Sequence, residues 1–100
     1  MEILLITTEG CEGCKIQENL IQEAIKNSGL DITFNKADVN DCRKTWLKVH
    51  NVKDFPTTMM FDDANELKFQ FSGTRPAIVI ERYIDVQVLE RYVDVKVRDK

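Results

Sequence analysis

Two cysteines near the N-terminus, Cys11 and Cys14, are the residues of this chain best suited to do chemistry. Two residues separate them, so a helical turn would place both sulfurs on one side and within reach of each other. Thiol–disulfide exchange needs such a pair, because a thiolate attacks a disulfide sulfur and a second thiol then resolves the mixed disulfide. The same spacing also supplies half of a zinc site. The pair therefore predicts either redox chemistry or metal binding.

A zinc site would need two further ligands at suitable spacing. The sequence offers Cys42 and His50 for this role, without a second Cys-x-x-Cys or a His-x-His motif. Three cysteines are also too few for a secreted scaffold held together by disulfides. Redox chemistry without a metal or other cofactor is therefore the favoured interpretation, and metal binding is the alternative.

A strand followed by a helix is predicted to hold the pair. Residues 3–8 form a β-branched apolar run typical of a strand buried on both faces. An amphipathic stripe then begins at Cys14 and ends before Gly29, a suitable C-terminal cap. Cys11 would lie at the helix N-terminus, where unpaired amides and the helix dipole stabilise a thiolate. Cys11 is therefore the predicted nucleophile, and Cys14, nearer the helix body, is the predicted resolving thiol.

Periodicity and turn residues predict five further elements. They are a strand over residues 30–39, a helix from an N-cap at Asn40 or Asp41 to His50, two strands over 57–61 and 67–71 joined by a hairpin turn, and a helix entered through Thr74-Arg75-Pro76. A strand, a crossover helix and a strand in succession predict a parallel pair. The order β-α-β-α-β-β-α therefore predicts an α/β fold, with a mixed four-stranded sheet and helices on both faces.

The chain is long enough for one domain, which we place at residues 1–85. Residues 86–100 are predicted to be a C-terminal extension of the last helix or a tail. Much of this extension repeats an earlier segment, since residues 81–88 recur with substitutions as residues 90–97. We expect the last helix to run past Leu89.

Charge and hydropathy exclude several classes of partner. The net charge is −3 and no Lys/Arg cluster dominates, which argues against nucleic acid. No apolar run reaches the length of a membrane-spanning helix, and the N-terminus lacks the basic region of a signal peptide. We therefore expect a cytoplasmic monomer that binds neither nucleic acid nor membrane.

Two segments of the chain resemble the thioredoxin family. The first is Cys11-Glu12-Gly13-Cys14-Lys15, between a predicted strand and a predicted helix. The second runs from His50 to Phe61 and contains a hydrophobic-Pro-Thr sequence. Together with the matching order of elements, they extend the resemblance over roughly residues 2–85. The resemblance implies a thioredoxin fold.

The resemblance also implies a place for the substrate. In that family the proline of the second segment is cis and abuts the dithiol, so Pro56 is expected to be cis. Phe55 and Thr57 would then line a groove for the substrate peptide beside Cys11. Gly73 matches the glycine that completes this groove.

Between and before the cysteines, the chain departs from the family pattern. Gly10 stands where the family usually has Trp, and Glu12-Gly13 stands where it usually has Gly-Pro. Glu12 places a negative charge beside the sulfur of Cys11 and so disfavours the thiolate. We therefore expect an atypical site.

A further departure lies six residues before the first cysteine. The family has a buried carboxylate there, whereas this chain has Leu5. The usual acceptor for the proton of Cys14 is thus missing, and resolution is expected to depend on water or another base. Lys36 matches the family's lysine near that carboxylate, although a solvated lysine at a strand end is the simpler interpretation.

The resemblance implies a thiol–disulfide oxidoreductase, specifically a protein disulfide reductase. Such a protein carries electrons from an upstream reductase to a disulfide-containing protein. One alternative is a binding or adaptor module of the same fold, in which the cysteine pair is vestigial or holds a metal. Another is a glutaredoxin-like reductase that uses glutathione. The second alternative is weakened by Asp54-Phe55-Pro56 and the single Gly73, which replace the Thr-Val-Pro and Gly-Gly features of glutaredoxins.

Overall fold

Four strands form a mixed sheet in a computed structural model that describes the backbone of residues 1–98 and the side chains of residues 1–90. The strands are β1 (Glu2–Thr7), β2 (Thr33–Asp38), β3 (Thr57–Phe61) and β4 (Leu67–Ser72), in the spatial order β2-β1-β3-β4. β1 pairs in parallel with β2 and antiparallel with β3, and β3 pairs antiparallel with β4. The predicted mixed sheet is therefore confirmed.

Three α-helices complete the architecture of the described residues. They are α1 (Glu12–Ser28), α2 (Lys44–Val49) and α3 (Ala77–Arg98), and a 3₁₀ turn at Val39–Asp41 precedes α2. The element order matches the predicted β-α-β-α-β-β-α. None of these helices is long and apolar enough to cross a membrane.

The predicted start of the second helix is wrong. Asn40 and Asp41 lie inside the 3₁₀ turn, which is capped by Asp38, whose Oδ1 accepts the N–H of Asn40 at 2.8 Å. Cys42 then has an extended backbone that separates this turn from α2. Asp38, Asn40 and Asp41 are all residue types that cap helices. Because Asp38, the first of them, closes a short turn of its own, α2 begins several residues later.

The second strand also begins later than predicted. Gly29 adopts the left-handed conformation that ends α1, with a φ of 68°. The N–H of Leu30 donates to the hydroxyl of Ser28, which holds the chain in the turn. The first cross-strand bond from this segment is donated by Thr33 to the Met1 carbonyl. Residues 30–32 therefore belong to the loop.

Helices α1 and α3 pack against one face of the sheet and against each other. Their contact forms the main hydrophobic core, in which each fully buried aliphatic side chain contributes about 1.5–3 kcal/mol. The fully buried members of this core are Ile3, Leu5, Ile21, Ala24, Met60, Ile80 and Ile84.

The opposite face of the sheet carries α2. Ile6 and Met59 are fully buried there, because alternate residues of a strand point to opposite faces. Gln70 pairs with Met59 and so shares its face, and its Nε2 donates to the carbonyl of His50, the C-cap of α2, at 2.7 Å. Helices therefore cover both faces, as predicted.

Helix α3 continues beyond the core without a break. It runs from Ala77 to Arg98, so the predicted continuation past Leu89 is confirmed. The predicted domain boundary at residue 85 falls within this helix and stays a prediction. The side chains of the second repeat copy lie outside the described part, apart from its first residue, Glu90.

The turn between β3 and β4 is organised by Asp62. Its Oδ1 accepts the N–H groups of Ala64 and Glu66, both at 2.9 Å. The bond from Glu66 is the main reason why the pKa of the Asp62 carboxyl lies below its ordinary value of 3.8, and Lys68 lowers it further. The folded state therefore favours the ionised carboxylate.

We expect Asp62→Asn to lower the thermal midpoint at neutral pH, because it keeps an acceptor oxygen but removes the charge. The carboxylate stabilises the fold above its ordinary pKa, and this stabilisation is lost as pH falls through the lowered folded pKa. The midpoints of the two proteins, followed by circular dichroism, should therefore converge in acid. Asp31→Asn, at an exposed aspartate, is the matched control, and a gap independent of pH would contradict the explanation.

Candidate active site

Cys11 is the N-cap residue of α1. Its backbone is extended, with a φ of −92° and a ψ of 101°, and its Sγ accepts the N–H of Cys14 at 3.0 Å. The first turn of a helix has backbone N–H groups without helical partners and carries a partial positive charge. The sulfur of Cys11 thus lies where a thiolate is stabilised.

A disulfide joins Cys11 to Cys14, whose Cα atoms are 5.3 Å apart. Cys14 is only 4% exposed, whereas Cys11 is half-buried. An incoming sulfur reaches the less buried cysteine first. This difference agrees with an attacking Cys11 and a resolving Cys14, although the two roles themselves stay predictions.

The loop before β3 lies against the segment between the cysteines. The Phe55–Pro56 peptide bond is cis, as the resemblance implied. A Cβ atom built on Gly13 would lie 3.6 Å from Cδ of Pro56 and 3.4 Å from the hydroxyl of Thr74. Pro56 therefore lies next to the dithiol loop, and a Cβ at position 13 would be in ordinary van der Waals contact with it.

The other predicted groove residues surround Pro56. Gly73 donates its N–H to the Pro56 carbonyl at 2.8 Å, and its φ of 82° is a conformation that glycine adopts without strain. Phe55 is half-buried. Thr57 is 2% exposed and donates its hydroxyl to the carbonyl of Asp54, so its side chain braces the loop. The groove itself stays a prediction.

Gln17 connects the helix of the dithiol to the loop that follows β4. This side chain is fully buried one turn after Cys14, and its Oε1 accepts the N–H of Arg75 at 2.7 Å. Among the described residues, its Nε2 finds no hydrogen-bond partner. Gln17 was not among the site residues predicted from the sequence. The available signal was a polar residue on the buried stripe of α1, together with Cys14, Ile21 and Ala24.

An open cavity of about 480 Å³ borders the dithiol. Its charged lining residues are Glu9, Glu12, Lys15, Glu18 and Lys36, and both cysteines also line it. Nζ of Lys36 lies 2.9 Å from Oε1 of Glu18. The simple interpretation of Lys36 as a solvated lysine is thus incomplete, because it forms an ion pair at the dithiol cavity.

The third cysteine and the histidine lie outside that cavity's lining. Cys42 donates its thiol to the carbonyl of Asp38 at 3.5 Å. Burial, followed by the charges of Asp41 and Asp38, raises the pKa of the Cys42 thiol. His50 packs on Trp46, with ring centroids 4.6 Å apart.

The zinc alternative requires a cluster of ligating side chains. Within residues 1–90, whose side chains the structure describes, no three His, Cys, Asp or Glu side chains lie close enough together to hold a metal ion. Cys42 and His50, the two additional ligands considered from the sequence, therefore do not complete a site with the cysteine pair in the described part of the chain.

The chain was compared with protein families and with known structures. The sequence profile described as Thioredoxin matches residues 3–86. No curated protein sequence matches the chain. Thioredoxin-2 of the malaria parasite, described as a component of its protein secretion machinery, is 17% identical, with a TM-score of 0.70 over 84% of this chain and 80% of that one. Mitochondrial thioredoxin 3 of Saccharomyces cerevisiae in its oxidized form is 21% identical, with a TM-score of 0.67 over 84% of this chain and 76% of that one. These two similarities show a shared fold.

Replacing Gln17 by Ala should lower the free energy of unfolding by about 1–3 kcal/mol, because the N–H of Arg75 loses its partly buried acceptor. Urea denaturation of the reduced protein measures this change. Gln22→Ala, at an exposed position of the same helix, should have little effect. Equal losses for both substitutions would show that helix propensity, not the bond to Arg75, causes the effect.

In the reduced protein, Cys42 should be alkylated by iodoacetamide much more slowly than Cys11 at neutral pH. A raised pKa keeps the Cys42 thiol protonated, and only the thiolate reacts. Its labelling should therefore accelerate only as pH rises above the ordinary thiol range. Peptide mass spectrometry over a pH series gives both rates, and preferential labelling of Cys42 at neutral pH would contradict the assignment.

Proposed function

Because this chain belongs to the thioredoxin family, we propose that it is a protein disulfide reductase that uses Cys11 and Cys14 as its redox-active pair. The family, the fold and the cysteine pair support thiol–disulfide exchange as its general chemistry. The observation that carries the finer proposal is the position of the Cys11 sulfur at the N-terminus of α1, bonded to the N–H of Cys14.

The proposed reaction has two exchange steps. The Cys11 thiolate attacks one sulfur of a substrate disulfide, and the other substrate sulfur leaves as a thiolate. Cys14 then loses its proton and attacks the Cys11 sulfur, which releases the second substrate sulfur. Two electrons pass to the substrate, and the Cys11–Cys14 disulfide of the structure is the product. An upstream reductase would restore the reduced pair by supplying two electrons.

The substrate is proposed to bind beside Pro56. This residue lies next to the segment between the cysteines, and Gly73 donates its N–H to its carbonyl. A protein segment whose disulfide reaches Cys11 would therefore pass over the loop formed by Phe55, Pro56 and Thr57. A reducing cytoplasm, which we propose as the location, would help keep the pair in the dithiol form.

We expect Cys11→Ser to reduce the rate of insulin reduction in the presence of dithiothreitol to that of dithiothreitol alone, because the attacking thiolate is removed. Cys14→Ser should also lose turnover and accumulate a mixed disulfide with insulin. The turbidity of precipitating insulin B chain measures the rate, and non-reducing electrophoresis detects the adduct.

The matched control is Cys42→Ser, which should retain the wild-type rate. If wild-type protein and Cys11→Ser behave alike, the pair is not used for catalysis, and the binding or adaptor alternative takes its place.

A further inference from the structure

The resolving step raises the question of where the proton of Cys14 goes. The Cys14 side chain is 4% exposed, so bulk water has little access to it. Leu5 of the neighbouring strand is fully buried and apolar, and it offers no acceptor. A thiol must lose its proton before it can attack a disulfide. An acceptor in the cavity beside the dithiol would supply this step.

Three carboxylates line that cavity: Glu9, Glu12 and Glu18. Glu9 and Glu12 are exposed, whereas the Glu18 side chain is 26% exposed. Glu18 follows Cys14 by four residues in α1, so the two share one face of the helix. Helical side chains also lean toward the N-terminus, which carries the carboxylate of Glu18 toward the turn of Cys14.

Lys36 fixes the position of this carboxylate. Its Nζ lies 2.9 Å from one oxygen of Glu18 and 3.5 Å from the other. Lys36 pairs with Leu5 in the parallel register of β1 and β2, so it projects from the sheet face on which α1 lies. The ion pair therefore bridges β2 and α1 along the wall of the cavity that Cys14 also lines.

We propose that Glu18, positioned by Lys36, accepts the proton of Cys14 in the resolving step, directly or over one water molecule in the cavity. This inference rests on the proposed function. In the step, the S–H bond of Cys14 breaks and its proton passes to the Glu18 carboxylate. The Cys14 sulfur forms a bond to the Cys11 sulfur, whose bond to the substrate breaks. The substrate sulfur leaves with the electron pair and takes up a proton from solvent or from Glu18.

Besides the Glu18–Lys36 pair, the charged groups facing the cavity are Glu9, Glu12 and Lys15; Cys11 also lines it but carries no charge while it is bonded to the substrate sulfur. Each charged group could shift the pH dependence of the step by its charge alone. The test must therefore separate proton acceptance by Glu18 from a change in cavity charge, and it must separate the second exchange step from the first.

Ellman's reagent separates the two steps, because attack by Cys11 releases one coloured thiolate and resolution by Cys14 releases the second. With Cys42→Ser as the background, stopped-flow absorbance of the reduced protein should show both phases. We expect Glu18→Gln to slow the second phase at least about a hundredfold at neutral pH, the lower end of the range for general acid–base catalysis. The first phase should change little. The pH profile of the second phase should move toward that of an unassisted thiol.

Four further variants identify the cause. Glu18→Asp should recover part of the second-phase rate, since it restores a carboxylate. Glu9→Gln removes a charge from the same cavity, and Glu23→Gln removes an exposed charge from the same helix; both should resemble the background protein. Lys36→Met should slow the second phase less than Glu18→Gln, because it frees the carboxylate without removing it.

The outcomes distinguish the two proposals. If the background protein releases a single thiolate, the proposed function fails. If it releases two and Glu18→Gln matches its second phase, the inference about Glu18 is overturned while the function stands. Equal slowing of both phases, or an equal effect of Glu9→Gln, would also overturn it, because either result would indicate a general charge effect.

Discussion

The hydrogen bond from the Cys14 N–H to the Cys11 sulfur requires that a helix begin at Cys11. A helix begins there because β1 is buried on both faces and ends at Thr7, and because Gly10, with a φ of 72°, turns the chain into α1. The buried stripe of α1 then anchors the helix on the sheet through Ile21 and Ala24. The stabilisation of a thiolate in the first turn of α1 therefore depends on apolar packing about two turns further along the helix. This packing keeps the backbone N–H groups of the first turn in place when the Cys11 sulfur gains or loses its charge.

The parts of the structure that follow from local patterns could be predicted from the sequence. The strand Thr57–Phe61 lies between Pro56, which cannot donate a ladder hydrogen bond, and Asp62, which closes a turn. The dithiol could likewise be placed from the run of β-branched residues before it and the apolar stripe after it. In these segments, the local sequence signals and the pairing of the strands favour the same backbone conformation.

The remaining parts depend on contacts between distant residues. Asp38, Asn40 and Asp41 are all suitable caps, and local chemistry does not decide which one closes a turn. The pairing of Glu18 with Lys36 joins residues 18 positions apart, and it exists because the register of β1 on β2 aligns Leu5 with Lys36. A shift of that register by one residue would turn Lys36 to the other face. The sequence patterns therefore predict the cysteines and, through the family resemblance, the place of Pro56, but not the buried Gln17 or the pairing of Glu18 with Lys36.

A carboxylate near the dithiol can accept a proton, but its burial lowers the stability of the fold. A carboxyl at position 5 would be fully buried, beside Thr58, whose buried hydroxyl has no partner among the described residues. Burial of an ionised group costs several kcal/mol unless it is well paired. Glu18 stays at the cavity wall, where Lys36 and solvent both reach it, so its charge carries little desolvation cost. Leu5 can then contribute to the core as an aliphatic residue, and with Glu18 in its proposed role the acid–base chemistry of the site does not depend on a buried charge. A chain arranged in this way keeps an apolar sheet beneath the dithiol and, in our proposal, takes the proton acceptor from the helix that carries the cysteines.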